Sequence, residues 1–125
     1  MELQNRNLVG HFIWAKVEFA EGDGRYKLRP CIVLAQKRLG DQMVYLIAAK
    51  YSALEKCRGD NEVVMSADDA VAVGADKEGV VRMSRDRLVA VRADNIIKVM
   101  KHYSALPKLK QQSLQNAAKR VGIVI

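Results

Sequence analysis

A chain of 125 residues is long enough for one domain and leaves little over for a second. Half of its residues are hydrophobic and 28% are charged, which excludes a generally disordered chain. No run of about 18 apolar residues occurs, which excludes a helical membrane span.

The formal charge of +7 is unevenly spread. Residues 1–81 hold 11 Lys and Arg against 12 Asp and Glu, whereas residues 82–125 hold 10 against only Asp86 and Asp94. A basic final third favours polyanionic partners through counterion release, or serves as a solvated surface that aids solubility. The first residues carry Glu2 and Arg6 and lack an apolar signal core, so a cytoplasmic protein with no membrane partner is expected.

The first periodic segment is Val9 to Phe19, where Ile13, Ala15, Val17 and Phe19 alternate with Trp14, Lys16 and Glu18. That is the period of a half-buried strand. Residues 21–25 are a glycine-containing loop, and Arg29-Pro30 opens a second apolar run, Cys31 to Ala35. Gly40-Asp41 marks a turn before a third strand, Met43 to Ala49, whose continuous apolar character predicts burial on both faces or strong curvature. Tyr51 to Asp60 reads as a loop.

Asn61 to Met65 is a short strand, and Ser66-Ala67-Asp68-Asp69 is a capped first helical turn that Gly74 ends. Gly79 to Ser84, Leu88 to Arg92 and Ile96 to Met100 are further strands. The period then changes. Leu106, Leu109, Leu114, Ala117, Ala118 and Val121 recur at helical spacing, with Pro107 in the first turn and Gly122 as the stop. Several short strands, one inserted helix and a terminal amphipathic helix predict a small, bent antiparallel barrel with helices at its edge.

Three segments together resemble the PemK/MazF family of toxin endoribonucleases. They are Gly10 to Val17, then Tyr26-Lys27-Leu28-Arg29-Pro30-Cys31-Ile32-Val33-Leu34, then Val80-Val81-Arg82-Met83-Ser84 with Leu88 and Val89. The second carries most of the likeness, being close to the family's Lys-x-Arg-Pro-x-(apolar) signature. The resemblance implies a mainly β, SH3-like antiparallel barrel with a short inserted helix and a C-terminal amphipathic helix, spanning residues 1–125 as one domain. It also implies a homodimer that cuts single-stranded RNA without a metal or other cofactor and is inhibited by an antitoxin protein.

Arg29 is the first catalytic candidate. A guanidinium offers a flat fork of donors to a phosphate and stays charged at any accessible pH. The alternative for Arg29 is an ion pair with Glu18 or Glu21. The family's threonine, in an apolar-Pro-x-Thr segment, corresponds here to Lys50-Tyr51-Ser52 without the proline, so the hydroxyl must come from Ser52, the second catalytic candidate, or, with a one-residue shift, from Tyr51. Lys27, Lys50, Lys56 and Arg58 are candidate phosphate contacts, and Tyr26 and Tyr51 are candidate stacking platforms for bases. Arginine is a poor general base, so the proton acceptor is unassigned. His11 heads the first strand and His102 is read as exposed at a strand end. Cys31 and Cys57 sit in no Cys-x-x-Cys or Cys/His cluster, so neither a disulfide nor a metal site is expected.

Overall fold

In the computed structural model, which describes residues 6–18, 24–39, 43–53 and 61–125, the alternating apolar positions near the amino terminus form strand β1, His11–Glu18. Strand β2 runs Tyr26–Leu39 and β3 runs Met43–Ser52. Shorter strands follow: β4, Glu62–Met65; β5, Gly79–Arg82; β6, Leu88–Arg92; and β7, Ile96–His102. All pair antiparallel in one sheet of order β4-β5-β3-β2-β1-β7, with β6 paired to β3 off that path. Two helices complete the described residues: α1, Ala67–Val73, and α2, Lys108–Arg120.

Strand parity divides the core between the two faces of the sheet. Ile13, Ala15 and Val17 pack with Cys31, Val33, Leu46, Ala48 and Val91. Phe12, Ile32, Leu34, Ala49 and Tyr51 point the other way, against Ala70 and Val73 of α1 and Leu114, Ala117 and Ala118 of α2. Successive residues of a strand face opposite sides, so burial on both requires the unbroken apolar runs at Cys31–Leu34 and in β3.

Both helices have local reasons for their ends. Ser66 Oγ accepts from the Asp69 N–H at 3.1 Å while the Ser66 N–H donates to Asp69 Oδ2 at 3.0 Å, a reciprocal capping box. Gly74, at φ 91°, closes α1 in the left-handed conformation that a side chain resists. Pro107 sits at the cap of α2, and Leu114, Ala117 and Ala118 supply its buried face. Leu109, expected on that face, is 78% exposed. It lies about a third of a turn or more off the line through Leu114 and Ala118 at 3.6 residues per turn.

Of the boundaries that differ from the sequence expectation, two bear on the site. Pro30 does not open β2, which begins at Tyr26. It lies where β2 has β1 on one side and has not yet met β3, whose pairing starts at Cys31, and that half-open stretch tolerates a residue without an N–H. Strand β3 runs on to Ser52, so Tyr51 and Ser52 are strand residues and not the start of a loop. The glycine-containing loop, apart from Gly24 and Arg25, the turn at Gly40-Asp41, the stretch 54–60 with Cys57, and the Tyr45 side chain lie outside the described residues.

The innermost charge of the sheet is a pair. Glu62 and Arg82 are register partners on β4 and β5, and Arg82 Nε donates to Glu62 Oε2 at 3.0 Å, with both side chains almost fully buried. A buried pair adds little over an apolar one, but removing one member strands the other. Glu62→Leu is therefore expected to cost about 3–5 kcal/mol in urea unfolding, and adding Arg82→Met should recover most of that loss. A single variant as stable as the wild type would show that Arg82 does not depend on Glu62.

Candidate functional site

Strand β3 carries the site because its partner changes along its length. Tyr45 to Ala49 pair with β6, ending at Ala49↔Leu88, and Lys50 to Ser52 pair with β5, beginning at Lys50↔Arg82. The link between β5 and β6, including the 3-10 turn Arg85–Arg87, must therefore lie beside Lys50. On the other side of β3, Lys50 is opposite Cys31, two residues along β2 from Arg29. Parity puts Arg29, Lys50, Ser52 and Arg82 on one face of the sheet.

A cavity of about 310 Å³ opens at this end of the sheet. Arg29 and Ser52, 23 positions apart in the chain, both line it. Both are half-buried, and Arg29 forms no ion pair with a described residue. The Glu18 side chain and Glu21, weighed as its partners, lie outside the described residues. Trp14, Leu28, Pro30 and Ala53 add apolar wall, and Asp76, Lys77 and Glu78 supply charge from the loop between α1 and β5.

Tyr51 is placed differently from expectation. It is a buried core residue, with its ring edge-on to Phe12 at 6.4 Å between centroids. Its hydroxyl donates to the Lys77 carbonyl at 2.6 Å. Burial pushes that hydroxyl up to about 12, with Asp69 and Glu78 adding to the effect, so it remains a donor. A ring held in this way offers no face to a base, and Tyr51 fastens the 76–78 loop to the end of β3 instead. Gly79 permits the close approach: a Cβ there would lie 2.4 Å from Tyr51 Cε1 and 2.5 Å from the Ser52 carbonyl oxygen.

The other candidates separate. Lys27 and Tyr26 are exposed on the open end of β2 and line no part of the cavity. Lys56 and Arg58 lie outside the described residues. His11 and His102 face each other across β1 and β7, with ring centroids 5.3 Å apart, away from the cavity. His102 is half-buried and not simply exposed; its Nδ1 accepts from the Ser104 N–H at 3.0 Å. Burial, then the neighbouring His11, lowers its pKa below the ordinary 6.5. It is a turn-capping residue, not part of the site.

Sequence reasoning missed Trp14 as a wall of this cavity and missed the Asp76-Lys77-Glu78 loop altogether. The available signal for the loop was a charged tripeptide tightly framed by Gly74 and Gly79. No family model matches the chain, and no curated protein matches it.

Lys50, two residues from Ser52, does not line the cavity but lies close to Arg29. It is half-buried, and no carboxylate among the described residues pairs with it. Burial, with help from Arg87, Arg82 and Arg29, lowers its pKa from 10.5. The same desolvation pushes the Cys31 thiol opposite up to about 12, against the pull of Lys50 and Arg29. Among the described residues only Arg82, of these four cations, has a buried carboxylate partner, so the group carries excess positive charge.

The sign of the pH dependence follows. The charge of Lys50 is complete below its lowered pKa and is lost as pH rises through it, before 10.5 is reached, while the arginines stay charged. Affinity for a phosphate-bearing polyanion should therefore decline in that alkaline window. Lys50→Arg should remove the decline, and Lys50→Met should weaken binding without lowering the thermal midpoint. Titration of polyphosphate binding against pH checks this, and an unchanged profile in Lys50→Arg would contradict it.

Proposed function

We propose that this chain is a metal-independent endoribonuclease of PemK/MazF type that cuts single-stranded RNA. The observation that carries the reading is the meeting of Arg29 and Ser52 in one cavity, with Arg29 also close to Lys50, whose other cationic neighbours are Arg82 and Arg87. These two residues were singled out from separate motifs, and antiparallel pairing alone brings them together. The cavity is at the small end of ligand-site volumes, enough for a nucleotide unit and not for a folded partner.

In this reading a ribose 2′-hydroxyl attacks the adjacent phosphorus, leaving a 2′,3′-cyclic phosphate and a 5′-hydroxyl. Arg29 meets the negative charge that grows on the phosphoryl oxygens, and Ser52 holds a phosphate oxygen or the attacking hydroxyl. Lys50 and Arg87 take the flanking backbone. Both rings line the cavity, but Trp14 is a better base platform than Tyr51, since it is half-buried and Tyr51 is buried. Closure of the bent sheet into an SH3-like barrel, a homodimer with the RNA groove along its interface, a cytoplasmic setting and an antitoxin that fills the groove all belong to the same proposal. No helix among the described residues is long and apolar enough to cross a membrane.

The test is cleavage of a fluorogenic single-stranded RNA with chelator present. The wild type should cut, and Arg29→Ala should lower kcat by roughly 10²–10³-fold, the usual effect of removing one placed oxyanion donor. Ser52→Thr should retain activity and Ser52→Ala should lose most of it. Wild-type turnover by folded Arg29→Ala would sink the assignment, and RNA binding without cleavage by the wild type would leave a binding module of the same fold.

The basic final third supplies long-range attraction in this reading. Part of it is already engaged: Arg82 pairs with Glu62, Lys110 with Asp69 at 3.5 Å, and Arg120 donates to Asn61 Oδ1 at 3.1 Å. Arg85 and Arg87 are exposed; Arg87 is close to Lys50, and Arg85 lines a separate pocket with Asp86 and Arg120. Reversing both to glutamate should flatten the log–log salt dependence of RNA binding by about 1–1.5, measured by anisotropy across a salt series. A slope equal to wild type would make them ordinary surface.

A further inference from the structure

We propose that Glu78 is the proton acceptor of the reaction, and that Tyr51 is the residue that positions it. This inference rests on the endoribonuclease reading above and supplies the base that arginine cannot be. Glu78 lines the cavity with Arg29 and Ser52. Its place there follows from register. Ser52 is opposite Val80, and Glu78 immediately precedes β5, so it lies at the Ser52 end of β3. Its carboxylate is felt by the Tyr51 hydroxyl, which places it at the same end of β3.

The loop is fixed, as a base must be. The hydrogen bond from Tyr51 to the Lys77 carbonyl ties down the residue immediately before Glu78. Gly79, immediately after it, is packed so closely on Tyr51 and Ser52 that no Cβ fits. Glu78 is thus held on both sides while its own side chain is exposed and forms no ion pair with a described residue. The charged and titratable groups around it are Arg29 from β2, Tyr51 from β3, and Asp76 and Lys77 from its own loop. No histidine lines the cavity. Asp76 shares the cavity, but neither the Tyr51 bond nor the Gly79 contact fixes it directly.

The step balances as follows. Glu78 removes the proton of the 2′-hydroxyl as the O2′–P bond forms. The P–O5′ bond breaks, and the departing 5′-oxygen takes a proton from solvent water. The protonated Glu78 then returns its proton to water, so each turnover ends with the carboxylate restored. Arg29 balances the added charge on phosphorus throughout.

The experiment compares kcat/KM against pH for wild type, Glu78→Gln, Asp76→Asn and Tyr51→Phe on one single-cut RNA, with RNA affinity measured separately on a substrate carrying a 2′-deoxy residue at the cut. Glu78→Gln should lower kcat by about a hundredfold or more, the usual scale for a general base. It should also abolish the acid limb of the profile and leave affinity for the deoxy substrate intact. Asp76→Asn should keep the acid limb. Tyr51→Phe should lower kcat several-fold with KM unchanged and keep the acid limb, because the base is displaced and not removed. A wild-type acid limb in folded Glu78→Gln, while the wild type cleaves, overturns this assignment and spares the nuclease reading. Failure of the wild type to cleave overturns both.

Discussion

The change of partner along β3 is the constraint on which the rest of the structure depends. A strand normally keeps one neighbour on each side, but β3 gives one edge first to β6 and then to β5. Both run antiparallel to β3, so they lie end to end along that edge, and residues 83–87 loop out where Ala49 gives way to Lys50. Sharing the edge in this way keeps β3 paired on both sides from Tyr45 to Lys50. It also fixes the position of Arg85–Arg87, because the link between β5 and β6 has to be made there. Charge is then concentrated by topology: Lys50, Arg82 and Arg87 come from three places in the chain and meet at one junction, with Arg29 on the neighbouring strand.

Such a junction is costly unless its charge is used. Glu62 neutralises Arg82 with a direct bond and allows a guanidinium inside the sheet. Among the described residues no carboxylate pairs with Lys50, whose charged form is disfavoured by burial and by the neighbouring arginines. A fold selected for stability alone would place a hydrophobic side chain or an acid there. An uncompensated cation on a rigid strand is instead what an anion site requires, since its donors need not be reorganised when the ligand arrives. Burial against stability and charge against an external phosphate are the same arrangement seen with and without ligand.

Local rules were legible in the sequence, and tertiary choices were not. The capping box at Ser66 and Asp69 and the stop at Gly74 each depend on a few neighbouring residues, and both could be read directly. The period-two pattern of β1 and the strands flanking Arg85-Asp86-Arg87 were also readable. Tyr51 was not, because a polar-tipped aromatic between a lysine and a serine looks like a surface residue until a carbonyl 26 positions away accepts its hydroxyl. Pro30 misled for a related reason. A proline marks where a strand lacks a neighbour on one side, and that can occur inside the strand as well as at its start. For the candidate site, the pairing of Arg29 with Ser52 was anticipated only through the family resemblance, whereas the 76–78 wall depends on a loop docking that no local pattern encodes.

That docking joins the core to the chemistry. The Tyr51 ring belongs to the core shared by α1 and α2, while its oxygen belongs to the cavity wall. A phenylalanine would fill the same volume but leave the Lys77 carbonyl without this partner, and a partly buried carbonyl then turns toward water. Glycine at 79 is the complementary requirement, because any side chain would lift the loop from the ring that holds it. The two residues act only together: tyrosine without glycine cannot reach the carbonyl, and glycine without tyrosine leaves the loop free. Packing of α1 and α2 on one face of the sheet therefore sets the position of Asp76, Lys77 and Glu78 at its end, so core stability and site geometry cannot vary independently.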